Sequence, residues 1–247
     1  MWVRCFILFS SLILSLPAKA YQFTTDFKNG FYWASIPVSI FVEESNPDRK
    51  KILESLSKAA ISDWESETGL KLWDFAGGTR NLIRWSSRFA EETRMDPNSV
   101  LAVAVRYTDG PYFAKTEIII NGSHPLNSYE NYLRTTITHE LGHTMGLDHS
   151  EVAQAVMAPS LQPIYYGLHS DDVDGMQAAV ADMEYKQRTG YVSRYAFVKE
   201  EVAKQPLSCG TIAPATAGVS HSGMISLLSG ILITLVRRIK RWFKSLE

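Results

Sequence analysis

The chain has 247 residues, 45% of them hydrophobic, and its formal net charge at pH 7 is −1. This length fits one globular domain with additional segments at its ends. The near-neutral charge argues against a nucleic-acid-binding protein, because such proteins carry an excess of Lys and Arg that neutralises phosphate groups.

Residues 1–20 have the pattern of a secretory signal peptide. Arg4 supplies a positive charge, residues 6–16 are apolar, and residues 18–20 form an A-x-A cleavage site. A buried hydrophobic helix is the alternative interpretation. We expect the mature chain to begin at Tyr21 and to work outside the cytosol.

Hydrophobic periodicity predicts an α+β domain over residues 21–185. Ser35–Glu43 alternates apolar and polar residues, as a half-buried strand would. Asn46-Pro47-Asp48 is a turn and helix cap, and a long helix is predicted over Arg49–Thr68, ended by Gly69. The apolar positions at helical spacing are Ile52, Leu56, Ala59, Ala60 and Trp64.

Four short strands and two helices are predicted after the long helix. The strand candidates are Leu70–Phe75, Asn81–Trp85, Leu101–Tyr107 and Thr116–Asn121, and the last leads into the turn signal Asn121-Gly122. The helices are Tyr129–Met145, with the metal-binding pattern described next, and Ser170–Met183.

The most informative stretch, residues 139–149, reads H-E-L-G-H-T-M-G-L-D-H and fills every fixed position of H-E-x-x-H-x-x-G-x-x-H. His139 and His143 lie one turn apart on a helix, so both can bind one ion. Gly146 can take a positive φ, which ends the helix and brings His149 in as a third ligand. Three protein ligands leave one zinc position open, which is typical of a catalytic site.

Glu140 lies beside the first histidine and can reach a water on the ion, so it is the candidate general base. H-E-x-x-H alone would also suit an ordinary helix face with two partly exposed histidines and a surface glutamate. The glycine and the third histidine at matching offsets favour the metal site, because a structural helix face needs neither.

The chain resembles the metzincin zinc peptidases, and most of all the matrixins, in three stretches: the zinc motif with Ser150, Val156-Met157-Ala158-Pro159, and residues 169–177. The resemblance implies an α+β zincin-like domain with a twisted mixed sheet, a long N-terminal helix, a zinc-site helix, a Met-turn and a C-terminal helix. It places Met157 in the Met-turn under the metal, and a core methionine is the alternative. As architecture it covers residues 31–185, although its specific motifs lie only between 139 and 177.

The resemblance also exposes two departures. Matrixins are usually kept latent by an N-terminal pro-segment whose cysteine caps the zinc, and no cysteine lies between Tyr21 and the first strand. Either the enzyme is made active, or something else silences it. Matrixins also carry accessory zinc and calcium before the zinc helix, where this chain offers only His124, Asp109 and Glu117. We therefore expect one catalytic zinc ion.

Beyond residue 185 the composition changes. Residues 186–217 have the composition of a linker, and within residues 218–247 an apolar run, Met224–Val236, precedes a basic cluster. This predicts a C-terminal membrane anchor, with an amphipathic surface helix or a sorting signal as alternatives. Because Cys5 would leave with the signal peptide, Cys209 has no intramolecular disulfide partner and is either an attachment point or an idle thiol.

These features predict a secreted or membrane-tethered zinc endopeptidase. Zinc would lower the pKa of its bound water toward about 7, and Glu140 would take a proton from that water and return it to the leaving amine. An extended peptide substrate is expected to pair with an edge strand between Leu101 and Asn121. By resemblance, residues 159–166 would wall the pocket for the residue after the cut. The rival is a zinc-bearing binding or adhesion module, which has no use for a general base.

Overall fold

A computed structural model describes residues 20–161, 167–197, 207–208 and 213–214 of the chain. The chain divides after Pro214 into two compact units, and all described residues lie in the first. No helix among the described residues is long and apolar enough to cross a membrane. The predicted anchor at residues 218–247, residue Cys209 and the signal peptide up to residue 19 lie outside the described residues.

The described residues form an α+β domain. Its helices are α1 (Thr25–Lys28), α2 (Pro47–Thr68), α3 (Phe89–Thr93), α4 (Glu130–Thr144) and α5 (Ser170–Thr189), with a 3₁₀ helix at Pro125–Ser128. Its strands are β1 (Tyr32–Trp33), β2 (Val38–Glu43), β3 (Trp73–Phe75), β4 (Leu82–Ser86), β5 (Ala102–Asp109), β6 (Tyr112–Asn121), β7 (Ser160–Leu161), β8 (Leu207–Ser208) and β9 (Ala213–Pro214). The predicted fold class is confirmed.

One mixed sheet organises the domain. Its strand order is β3-β2-β4-β6-β5-β8, with β1 attached to β6. Strands β3, β2, β4 and β6 pair in parallel, whereas β5 runs antiparallel to β6 and to β8. Strands β7 and β9 form a separate parallel pair. The mixed sheet predicted from the resemblance is therefore present.

Helix α2 begins at Pro47, two residues before the predicted Arg49, ends at the predicted Thr68, and has a different buried face from the one predicted. The side chain of Asn46 caps it by accepting a hydrogen bond from Arg49 N at 3.0 Å, and Gly69 ends it with a φ of 70°. Ile52, predicted to face the core, is 39% exposed. The buried face is rotated by about one residue because polar Ser57, which a hydrophobic pattern ignores, lies within it. Its members are Leu53, Ser57, Ala60, Ile61, Trp64 and Thr68.

Two predicted boundaries were too short. Strand β6 begins at Tyr112 because its ladder with β5 continues to the turn, where Asp109 lies opposite Tyr112. Helix α5 runs to Thr189, past the predicted end of this helix at Met183. This last turn is held on the domain by Lys186, whose Nζ lies 4.7 Å from the ring centroid of Phe27.

Three tryptophans fix α4 in the core through their indole N–H groups. Trp64, on α2, donates to the carbonyl of Thr138 at 2.9 Å. Trp33 donates to the carbonyl of Thr144 at 2.8 Å, and Trp73 donates to its hydroxyl at 3.2 Å. Because α2, β1 and β3 all bond to the same helix, the position of α4 relative to the sheet is strongly determined.

Candidate active site

The site is built on α4 and the loop that follows it. His139, Glu140 and His143 are all fully buried on this helix. The chain turns back at Gly146, whose φ is 97°. A side chain there would also contact the ring of Phe27, so both backbone conformation and space require glycine. The turn brings His149 beside the two helical histidines, as predicted.

The three imidazoles surround one point. Ring centroids are 4.6 Å apart for His139 and His143, 5.3 Å for His139 and His149, and 5.2 Å for His143 and His149. One ring nitrogen from each lies within 4.8 Å of the others. Among the described residues, no other group of His, Cys, Asp or Glu side chains has this geometry.

Main-chain carbonyls set the orientation of two of these rings. His139 Nδ1 lies 2.6 Å from the carbonyl oxygen of Val156, and His143 Nδ1 lies 2.7 Å from that of Leu147. A carbonyl oxygen can only accept, so each Nδ1 carries the proton and each Nε2 carries a lone pair.

These lone pairs are directed at an ion position. The two Nε2 atoms are 2.9 Å apart, and two lone pairs at that distance repel unless a cation lies between them. His149 Nε2 is buried and has no hydrogen-bond partner among the described residues. The donor set therefore fits a zinc ion, with carbonyls orienting the ligands from behind.

The pKa values of the three histidines favour metal binding. Burial, with a smaller effect from His149, lowers the pKa of His139 to about 3. Burial also lowers the pKa of His143 well below its ordinary value and lowers that of His149. All three are therefore neutral near pH 7, which is the form that binds a metal ion.

Glu140 is a buried carboxyl group without a hydrogen-bond partner among the described residues. Burial raises its pKa well above 4.5. The main chain of Ala104 is near enough to favour the ionised form without reaching hydrogen-bond geometry, and the charge of Arg106 acts the same way, but both effects are smaller. A cation at the histidines would also favour the ionised form. This carboxyl can therefore both accept and hold a proton.

The floor of the site is tied to α5. The main-chain N–H groups of Val156 and Met157 donate to the carboxylate of Asp172 at 2.8 and 3.0 Å. Met157 is buried beneath α4, where its Sδ would block any side chain at Gly142. The arrangement holds the carbonyl that orients His139. Asp172 was not predicted as a site residue, although it lies in the stretch that carried the resemblance.

A buried ion pair supports the other side of α4. Arg106 donates from Nε and Nη2 to both carboxylate oxygens of Asp26, at 2.7 and 2.8 Å, and both side chains are fully buried. Its Nη1 donates to the carbonyl oxygen of His143. Sequence reasoning missed both residues. An arginine inside the apolar run A-V-A-V-R-Y was the available signal, because a buried charge requires a partner.

The expected N-terminal residue is held close to the site. Asp171 accepts hydrogen bonds from the main-chain N–H groups of Ala20 and Tyr21, both at 3.0 Å. Its other carboxylate oxygen accepts from Ser150 Oγ at 2.6 Å. Ser150 directly follows His149, so the predicted start of the mature chain is connected to the third histidine through these bonds.

The residues considered for accessory metals have other partners. His124 caps the 3₁₀ helix by accepting from Leu126 N at 3.2 Å, and its Nε2 lies 3.1 Å from the carbonyl oxygen of Asn98. Glu117 forms ion pairs with Arg84 and Lys115. The number of bound ions stays a prediction.

A peptide substrate was expected to pair with an edge strand between Leu101 and Asn121. Strand β5, inside the predicted range, pairs with β6 on one side and with β8 on the other. Strand β7 follows the Met157 turn and pairs with β9. Residues 162–166, which include most of the predicted pocket wall, lie outside the described residues.

The chain matches a family model and is similar to several known proteins. The family model described as Matrixin matches residues 32–180. The chain is 32% identical over 129 residues to matrix metalloproteinase-19 of Homo sapiens, covering 49% of this chain and 24% of that protein. For the Mus musculus protein of the same name, identity is 38% over 129 residues, covering 48% and 23%. For matrilysin of Rattus norvegicus, identity is 29% over 158 residues, covering 59% and 57%. The chain thus spans about a quarter to just over half the length of these relatives.

Proposed function

Because this chain belongs to the matrixin family, we propose that it is a zinc-dependent endopeptidase that hydrolyses peptide bonds in proteins or peptides. His139, His143 and His149 would hold one zinc ion, and Glu140 would act as general base. One observation carries the assignment: a buried carboxyl without a hydrogen-bond partner lies beside three neutral imidazoles whose ring nitrogens converge on one point.

The chemistry divides between the ion and the protein. When bound, zinc supplies an acidified water and a Lewis acid for the scissile carbonyl. Glu140 accepts the proton of the attacking water and returns it to the nitrogen of the leaving amine. The carbonyls of Val156 and Leu147 keep both helical imidazoles aimed at the ion. General acid–base transfer of this kind typically contributes about 10²–10⁴ in rate.

The Met157 turn has a supporting function in this proposal. Asp172 fixes the turn from below, and the turn supplies the carbonyl that orients His139. Hydrogen-bonded groups behind metal ligands raise metal affinity by fixing ring orientation. We therefore place Met157 and Asp172 among the positioning residues and not among the ligands.

We also propose that the protein is exported and attached to a membrane. The support is the signal-like pattern of residues 1–20 and the apolar-then-basic pattern of residues 218–247. Fractionating cells that express the full chain and a chain ending at Gln205 tests the attachment. Membrane association only of the full chain is expected, and identical partitioning would refute the tether.

The zinc-bearing binding module is the competing function. A digest of a peptide library by the fragment of residues 21–197 separates the two, with the same fragment stripped of zinc as control. This fragment keeps all of α5 and the contacts of Tyr191 and Ser193 with the N-terminal part of the domain. Endoproteolytic products that disappear on zinc removal support the peptidase. A zinc-loaded, folded fragment that cuts no peptide would contradict the peptidase and favour the binding module.

A further inference from the structure

Two short C-terminal strands lie on the two edges that flank the histidine site. Strand β8 pairs antiparallel with β5, so that Ser208 lies opposite Val105 and Leu207 opposite Arg106. Strand β9 pairs in parallel with β7, so that Ala213 lies opposite Ser160. We refer to β8 and β9 together as the tail strands. They come from the part of the sequence that composition alone identifies as a linker.

Both edges are connected directly to the proposed catalytic residues. On the β5 side, Arg106 donates to the carbonyl of His143, and the main chain of Ala104 lies near Glu140. On the β7 side, the strand begins shortly after Val156, whose carbonyl orients His139. A polypeptide that pairs first with one edge and then with the other therefore bridges the two sides of the site.

The two tail strands are close in sequence, because only residues 209–212 separate them. An extended peptide binds a sheet edge through its main chain, largely regardless of its sequence. A substrate bound across these edges would need the same main-chain donors and acceptors on β5 and β7 that the tail strands occupy.

We propose that the tail strands act as an internal, substrate-like competitor. They occupy the main-chain groups of β5 and β7 that a peptide substrate would use, until the substrate displaces them. The proposal rests on the peptidase function argued above.

We expect the tail strands to bind β5 and β7 only weakly. Each tail strand contributes only two paired residues, so its hold on the edge is weak and reversible. A tethered segment has an effective concentration of about 1 mM, and with an intrinsic affinity of about 0.1 mM it would leave the edges free about one tenth of the time. The full chain should therefore show an apparent KM about tenfold above that of a chain with free edges, with kcat unchanged.

The first test uses the full, zinc-loaded chain carrying Leu207→Pro and Ser208→Pro. Proline has no N–H and breaks an antiparallel ladder. The matched control carries Thr216→Pro and Ala217→Pro, beyond both tail strands. We expect KM for a peptide substrate to fall about tenfold in the first variant, with kcat unchanged, and to stay at the wild-type value in the control. An equal KM in the wild type, the tail variant and the control would overturn the competitor proposal.

A second measurement does not depend on the proline variant folding. Hydrogen exchange is followed in the full chain carrying Glu140→Ala, with and without saturating substrate peptide. Displacement predicts faster exchange at residues 207–208 on adding peptide, while the amides of β6 stay protected. Unchanged exchange at residues 207–208 in the presence of bound peptide refutes the competition.

The two proposals fail in different ways. If the fragment of residues 21–197 cleaves peptides but the tail variants do not change KM, the competitor is wrong and the peptidase stands. If the zinc-loaded fragment cleaves nothing, the peptidase is wrong and the competitor falls with it.

Discussion

Helix α4 has a buried carboxyl group on each side, and the two groups differ in their hydrogen bonding and in the direction of their pKa shifts. Asp26 is saturated with partners: besides Arg106, it accepts from Thr24 Oγ1 at 2.5 Å and from Phe27 N at 2.8 Å. Glu140, equally buried, has no hydrogen-bond partner among the described residues. Burial raises the pKa of both groups, but at Asp26 the charge and hydrogen bonds of Arg106 outweigh it, so its pKa lies below 3.8.

This difference distinguishes a carboxyl group that stabilises the fold from one that is available for catalysis. A fully paired buried charge holds elements together, and here it fixes α1, β5 and the end of α4 at one point. A buried carboxyl without partners destabilises the fold, since its desolvation is not offset. Such groups are typical of functional sites. The comparison predicts that substitutions on the Asp26 side change the free energy of unfolding, and that substitutions on the Glu140 side change metal binding or catalysis.

The largest effect is expected from removing a ligand on the Glu140 side. His143→Ala should abolish both zinc binding and peptide cleavage, because the two remaining imidazoles cannot hold the ion in an open tetrahedral site. Metal analysis and a cleavage assay on the same preparation measure it. His124→Ala is the matched control, and one zinc with normal cleavage is expected there. Full activity in His143→Ala would remove this histidine from the site.

The next largest effect concerns the Asp26 side. Asp26→Asn leaves Arg106 buried without its counter-charge, and breaking a buried pair in this way costs about 3–5 kcal/mol. Chemical denaturation measures the free energy of unfolding, and Glu184→Gln, which removes an exposed ion pair with Arg188, should cost under about 1 kcal/mol. Equal effects of the two substitutions would show that the buried pair is not structural.

The same pair sets a pH dependence. Because the pKa of Asp26 is lower in the folded chain than its ordinary value of 3.8, its stabilising contribution is fully present above that value. It is lost as pH falls through the folded pKa. The stability difference between wild type and Asp26→Asn should therefore be constant near neutral pH and shrink below about pH 4. A difference that instead grew in acid would reverse the sign of the shift.

The smallest effect is expected far from both regions. Asn46→Ala removes the cap of α2 and should lower the free energy of unfolding by about 0.5–2 kcal/mol. Neither zinc content nor kcat should change, because Asn46 touches no residue of the site. Altered kcat in this variant would mean that α2 transmits strain to α4 through Trp64.

The sequence predicted the Glu140 side far better than the Asp26 side, for a physical reason. The zinc motif acts over one helix turn and one loop, so spacing alone determines which side chains meet. Asp26 and Arg106 lie far apart in sequence and meet only after the sheet forms. The same applies to the carboxylate of Asp172 beneath the turn.

Two further features could not be predicted from hydrophobic periodicity. The tail strands are two residues long, which is too short for an alternating pattern to appear. The buried face of α2 was misassigned because Ser57 is polar and Ile52 apolar, while packing against α4 decides which of them is buried. In contrast, the cap of α2 and its end at Gly69 were predicted correctly, since Asn46 and Gly69 act through local hydrogen bonding and backbone conformation.

The proposed peptidase function is best tested by removing the Glu140 carboxyl and measuring zinc content and cleavage on the same preparation. Glu140→Ala should keep one equivalent of zinc and the folded structure while kcat falls by about 10²–10⁴. Glu130→Ala, an exposed glutamate at the start of the same helix, should leave both unchanged. Loss of zinc in parallel with activity would make Glu140 a structural or ligating group, and retained cleavage would end its assignment as the general base.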